Sequence, residues 1–120
     1  MERLMLKSKI HRATLTGTDL DYEGSITIDA DLLEAADILP NEQVHVLNIN
    51  NGSRIVTYAI EGSSNSGTML LNGPAARSGL PGDILVVLTY VNVDEKELTD
   101  YHPRIINVDK NNRIVAEPQS

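Results

Sequence analysis

A chain of 120 residues with no Phe and no Trp has to build its interior from branched aliphatic side chains. Ile, Leu and Val supply 11, 14 and 9 residues, and four Tyr are the only aromatics. Side chains branched at Cβ are stiff and suit a pleated, half-buried surface better than a helix. The expectation is a mainly β chain. Its length fits one core and leaves no room for a second, and the aliphatic content excludes a disordered polymer.

The punctuation is that of short strands. Met5 to Thr16 reads as an irregular strand, Gly17 to Asp21 as a polar turn, and Ser25 to Ile28 as a strand with Ile26 and Ile28 on one face. Asp29 offers an N-cap for a brief helix, Ala30 to Asp37, which buries Leu32, Leu33 and Ala36 and which Pro40 ends. Gln43 to Asn50 alternates through Val44, Val46 and Ile49. Asn51-Gly52 then predicts a type I′ hairpin turn, in which both central residues take positive φ, with Arg54 to Ile60 as the returning strand. An exposed loop over residues 62–67 leads to a strand at Thr68 to Leu71. Ile84 to Val93 is a nearly continuous apolar run and predicts a strand buried on both faces. Arg104 to Val108 and Arg113 to Ala116 flank the polar turn Asp109 to Asn112 as a last pair.

Residues Ala35 to Val44 echo Ala75 to Ile84: small residues, then Leu-Pro, a tight acidic turn and a strand. A compact barrel made of two related halves would produce such an echo, as would chance recurrence of turn signals. With six or seven strands and little helix, a closed barrel also hides its strand edges.

Charge and composition remove several function classes. Seventeen acidic against ten basic residues give a net charge of −7, which opposes binding to nucleic acid or anionic membrane through a broad basic face. Without Cys there is no disulfide, thiolate nucleophile, iron–sulfur cluster or cysteine zinc site. His11, His45 and His102 are dispersed, so no metal is expected. The first residues do not read as a signal peptide and no run is long enough to span a membrane, so the expected location is the cytoplasm. Gly-x-Ser-x-Gly, Gly-x-x-x-x-Gly-Lys and Gly-x-Gly-x-x-Gly are all missing.

What remains is Tyr22-Glu23-Gly24-Ser25, where a turn feeds a strand. Gly-Ser is an ordinary turn dipeptide. A strained Gly–Ser linkage can also undergo an N→O acyl shift, and elimination followed by hydrolysis then leaves a pyruvoyl group. Four ordered blocks extend this motif: Met5 to Ala13 (Met-Leu-Lys-Ser-Lys-Ile-His-Arg-Ala), Tyr22 to Ile26, Asn51 to Ile60 (Asn-Gly-Ser-Arg-Ile-Val-Thr-Tyr-Ala-Ile) and Leu71 to Arg77 (Leu-Asn-Gly-Pro-Ala-Ala-Arg). Together with Gly82-Asp83 after Leu80-Pro81, they resemble the pyruvoyl-dependent aspartate 1-decarboxylases, carboxy-lyases that make β-alanine for pantothenate synthesis. The resemblance runs from the N-terminus to about Val93.

The resemblance implies a double-psi β-barrel with one or two short helices, assembled as a homotetramer with active sites between subunits. It implies a single domain, 1–120, self-cleaved after Gly24 into chains 1–24 and 25–120, with a maturation factor as a further partner. Ser25 would become the pyruvoyl group that forms a Schiff base with L-aspartate, and Tyr58 would be the proton donor. Arg54 and Lys9 would hold the substrate carboxylates, while Thr57 and the Gly73-Pro74-Ala75 turn, following Asn72, would contact substrate. His11 and Tyr22 would line the pocket or position the cleavage site. Pro74 stands where many family members have Ala, and it removes one backbone donor. On a regular strand Thr57 and Tyr58 point to opposite faces, so a shared site calls for a bulge or bend. The alternative is a non-catalytic double-psi barrel that binds a small molecule or partner. A DNA-binding barrel of the swapped-hairpin type is opposed by the acidic balance.

Overall fold

The computed structural model describes residues 1–117. In chain order the elements are β1 (Glu2–Thr14), β2 (Gly17–Asp19), β3 (Ser25–Asp29), α1 (Ala30–Ala36), β4 (Gln43–Asn48), β5 (Arg54–Gly62) and β6 (Met69–Asn72). A 3-10 helix, Gly73–Ser78, precedes β7 (Ile84–Asp94); a second, Glu95–Glu97, precedes β8 (Arg104–Val108) and β9 (Ile114–Val115). The strands form one mixed sheet in the order β2-β6-β3-β5-β4-β7-β1-β8-β9. Central placement explains why Leu85 to Thr89 of β7 are all buried.

Apart from β2 at one edge, that order reads symmetrically about the β4–β7 pair. On each side lies an antiparallel neighbour (β5 or β1), then a parallel one (β3 or β8), then an antiparallel one (β6 or β9). The echoed segments mark corresponding points. In Leu39-Pro40-Asn41-Glu42 the Glu42 N–H donates to Leu39 O at 3.0 Å, and in Leu80-Pro81-Gly82-Asp83 the Asp83 N–H donates to Leu80 O at 3.0 Å. Pro sits second in each turn, and the third residue takes positive φ, 75° at Asn41 and 96° at Gly82, as a type II turn requires. Each acid caps its own turn by accepting from Leu39 N at 3.0 Å or Leu80 N at 2.9 Å. Both turns clasp a distant residue through the same pair of backbone bonds, Asn41 and Glu42 on Ala59, Gly82 and Asp83 on Leu15.

The core fills the space these elements enclose. Ile10, Ile26, Ile28, Val44, Met69, Leu85 and Val87 are fully or almost fully buried, and burying such a side chain contributes about 1.5–3 kcal/mol. Helix α1 closes one side with Leu32, Leu33 and Ala36. Its N-cap is Asp29, whose Oδ1 accepts from Asp31 N at 2.8 Å. Asp37, not Pro40, ends it: the residue turns left-handed (φ 56°) and Ile38 N donates back to Leu33 O, a C-terminal motif that satisfies the last carbonyls. Lys7 Nζ ties β1 to this corner by donating to Asp37 O and Glu42 Oε2, each at 2.6 Å.

Two expected turns are corrected. Residues 17–19 form a strand, because their backbone pairs in parallel with Leu70 to Asn72 of β6 despite polar side chains. Asn51-Gly52 is not a type I′ turn: only Gly52 has positive φ, at 75°. The hairpin closes more widely, with Asn48 N bonded to Ser53 O and Gly52 N to Asn48 O. Asn48 Oδ1 satisfies the Asn50 and Asn51 amides inside the loop.

Candidate active site around Gly24 and Ser25

Strand β3 begins at Ser25, paired with Asn72 at the end of β6. Ser25 is completely buried, and burial obliges its hydroxyl to find partners inside the protein. Ser25 Oγ donates to Glu23 O at 2.8 Å and accepts from Asn72 Nδ2 at 3.0 Å. The same Asn72 amide donates to Thr27 Oγ1 at 2.8 Å. Asn72 is itself 2% exposed, so both its donors are committed to this corner.

Gly73 holds the segment from the other side. Its φ is +60°, and a Cβ at this position would lie 2.7 Å from Gly24 N, 2.7 Å from Tyr22 O and 2.9 Å from Gly24 Cα. Only a residue without a side chain lets the two backbones approach so closely. Pro74 follows, its Cδ 3.3 Å from where a Cβ on Gly24 would stand.

Strand β5 supplies the third wall. Thr57 Oγ1 donates to Gly24 O at 3.3 Å, and Tyr58 Oη donates to Glu23 Oε2 at 2.9 Å. Both side chains therefore reach neighbouring residues of one segment. The pairing of residues 54–58 with β4 runs in unbroken register, so no bulge produces this. Instead β3 pairs with β5 only from Ala59 onward, and residues 22–24 cross the edge of β5 beyond the end of that pairing. The Tyr58 pKa is raised, first by its hydrogen bond to Glu23, then by loss of hydration and the nearby Glu23 and Tyr22 charges.

A cavity of about 330 Å³ opens beside the Gly24–Ser25 linkage, lined by Gly24, Ile55, Val56, Thr57, Pro74, Ala75 and Ser78. A shallower groove continues past Thr57 to Tyr58, Gln43 and Asn41. Thus nine of the residues singled out in the sequence come together: Tyr22, Gly24, Ser25, Thr57, Tyr58, Asn72, Gly73, Pro74 and Ala75. Glu23 joins them: it stands inside the Tyr22-Glu23-Gly24-Ser25 motif, where its side chain is given no role, and the signal was a charge directly before the Gly-Ser dipeptide.

Three candidates stand apart. Arg54 Nη2 donates to Tyr90 Oη at 3.0 Å and to His45 Nδ1 at 3.1 Å, beside the edge-to-face His45–Tyr90 pair. Lys9 and His11 lie two apart on β1, opposite Ile105 and Asn107 of β8. Burial lowers the His11 pKa, and the Lys9 and Arg12 charges lower it further. His11 Nδ1 and Asn107 Oδ1 are buried without a hydrogen-bond partner. None of Lys9, His11 and Arg54 lines the cavity beside Gly24.

Comparison with known proteins identifies the family. A family model described as Aspartate decarboxylase matches residues 1–115. The chain is 56% identical over 115 residues to Aspartate 1-decarboxylase of Thermoanaerobacter pseudethanolicus, covering 96% of this chain and 98% of that protein. It is 56% identical over 116 residues to Aspartate 1-decarboxylase 1 of Gloeobacter violaceus, covering 97% and 98%, and 53% identical over 115 residues to the Myxococcus xanthus Aspartate 1-decarboxylase, covering 96% and 88%. With a match spanning nearly its whole length, the chain belongs to the aspartate decarboxylase family.

Proposed function

We propose that this chain is an aspartate 1-decarboxylase, converting L-aspartate to β-alanine and CO₂, and that it matures by cutting itself between Gly24 and Ser25. The observation that carries the reading is the convergence of Asn72, Thr57 and Gly73 on that one linkage in a chain whose close relatives are decarboxylases.

In the cut, Ser25 Oγ adds to the Gly24 carbonyl carbon and the C–N bond breaks. The hydroxyl proton ends on the Ser25 nitrogen, leaving an ester and a free amine. Asn72 holds the attacking oxygen, and Thr57 donates to the carbonyl oxygen on which charge develops. Loss of the Ser25 Cα proton then expels the Gly24 carboxylate, and water replaces the nitrogen as ammonia, leaving a ketone. A pyruvoyl group is no larger than the serine it replaces, so the closed corner formed by Asn72 and Gly73 fits it. That ketone would supply a carbonyl for the substrate amine and an electron sink for the pair left on the substrate Cα when CO₂ departs.

The side chains then divide the remaining work. Tyr58, with its pKa raised, keeps its proton at neutral pH and delivers it to the substrate Cα. Arg54 grips the retained carboxylate in two-point fashion, and Lys9 is the second cation. Gly73, Pro74 and Ala75 shape the wall against the substrate, while His11 and Tyr22 support the pocket. Because Arg54, Lys9 and His11 lie away from the Gly24 cavity of their own chain, this reading places them in the cavity of an adjacent copy, in a homotetramer. The symmetric strand order favours closure of the sheet as a double-psi barrel.

The test is the intact mass of purified protein. Two fragments are expected, 1–24 and a 25–120 chain blocked by a ketone and trapped by borohydride when aspartate is present. Ser25→Ala should fold, stay in one piece and release no CO₂. An uncut wild-type chain, given time and any helper it needs, would overturn the reading, as would activity in Ser25→Ala.

A further inference from the structure

The Glu23 carboxylate has no part in the chemistry above, yet it accepts the Tyr58 hydroxyl hydrogen at 2.9 Å. The backbone oxygen of the same residue accepts the Ser25 hydroxyl at 2.8 Å. One residue therefore touches both the attacking group and the phenol. Its backbone has little freedom to drift, because its two chain neighbours lie so close to Gly73 that a Cβ there would stand 2.7 Å from both Tyr22 O and Gly24 N. Thr57, next to Tyr58 on β5, also holds Gly24 O.

We propose that Glu23 is a positioning residue acting through Tyr58: its side chain draws the phenol to the Gly24–Ser25 linkage, and the rate of self-cleavage depends on that contact. The inference rests on the self-cleaving reading. A carboxylate is a charge-assisted acceptor and holds a hydroxyl more firmly than a neutral partner does. The same contact raises the Tyr58 pKa above its ordinary value. In the acyl shift one proton leaves Ser25 Oγ and one is gained by the Ser25 nitrogen, so a fixed hydroxyl beside this segment has a transfer to assist. A phenol free to swing over the open groove on the other side of Thr57 would not be held there.

The experiment is a double-mutant cycle on maturation, with chains followed by intact mass from the time of synthesis. Glu23→Ala should slow appearance of the two fragments by about ten-fold or more, the order expected when a group is displaced by a fraction of its reach. Glu23→Gln keeps a carbonyl acceptor and should recover most of the rate. In a Tyr58→Phe background, either Glu23 variant should cause no further slowing, whereas a merely structural residue would slow both backgrounds equally. Should the Ala variant fail to fold, Glu23→Leu, which also removes the acceptor but keeps the bulk, takes its place in the cycle. Cleavage of Glu23→Ala at the wild-type rate, Glu23→Gln as slow as Glu23→Ala, or equal slowing with and without the Tyr58 hydroxyl would overturn the proposal. If wild type itself stays uncut, the self-cleaving reading has failed, and the role of Glu23 falls with it.

Discussion

Replacing Gly73 by Ala tests whether the close approach at residues 22–24 matters for maturation. Two costs arise. At φ +60° an L side chain meets its own backbone, a penalty of roughly 1–2 kcal/mol. The new Cβ also stands 2.7 Å from two backbone atoms, so that segment must retreat by about 0.7 Å to reach ordinary contact at 3.4 Å; overpacking of this kind costs about 1–3 kcal/mol. Gly52 separates the two. It has φ +75° and nothing within 4 Å of its hypothetical Cβ, so Gly52→Ala carries the backbone strain alone. The expected stability losses are about 2–5 kcal/mol for Gly73→Ala and about 1–2 kcal/mol for Gly52→Ala, read from urea unfolding of uncut Ser25→Ala chains. In chains that retain Ser25, displacement of the scissile segment should slow fragment formation about 10–100-fold in Gly73→Ala and leave Gly52→Ala unchanged. Equal maturation of the two variants would refute the argument that Gly73 is needed for proximity.

Two further predictions concern the frame, both measured in the uncut Ser25→Ala background. Hydrogen bonds from Asn48 and from the Leu80 amide lower the Asp83 pKa below its ordinary 3.8. The stabilisation is therefore full above the unfolded-state value and is lost as pH falls through the lower folded value. The urea midpoint should fall less between pH 7 and pH 3 in Asp83→Asn than in the parent, and an equal fall would refute the assignment. Leu85 is fully buried on the central strand, so Leu85→Ala should cost about 2–5 kcal/mol with an unchanged denaturant slope; a loss under about 1 kcal/mol would place it outside the core.

Much of the frame is legible in the sequence because burial and alternation act locally. The run at 84–93 advertises a strand, covered on both faces from Leu85 to Thr89 but not at Tyr90 to Asn92, and Asp29 declares the start of α1 through its side chain. The Leu-Pro echo proves to be a repeated structure, since both copies build the same turn and clasp. Strand β2 is illegible because backbone bonds to β6 create it and its side chains carry no pattern. Asn51-Gly52 misleads because Asn48, three residues upstream, satisfies the loop amides and widens the turn. The site residues are recognised as blocks of resemblance, but their assembly depends on where β3 stops pairing with β5. Strand periodicity alone sends Thr57 and Tyr58 to opposite faces, and only the path of residues 22–24 shows how both reach one segment.

Strand β1 is zipped along both margins, to β7 on one side and β8 on the other, and β2 is fastened to β6. On the self-cleaving reading, scission after residue 24 would therefore leave the short piece threaded through the body of the long one. What changes is molecularity. Melting of an uncut protomer releases one polymer, whereas melting of a nicked one releases two, so the midpoint of the nicked form would fall more steeply as the solution is diluted. Recovery from denaturant likewise requires two separate polymers to meet before the central sheet can reform around its missing member.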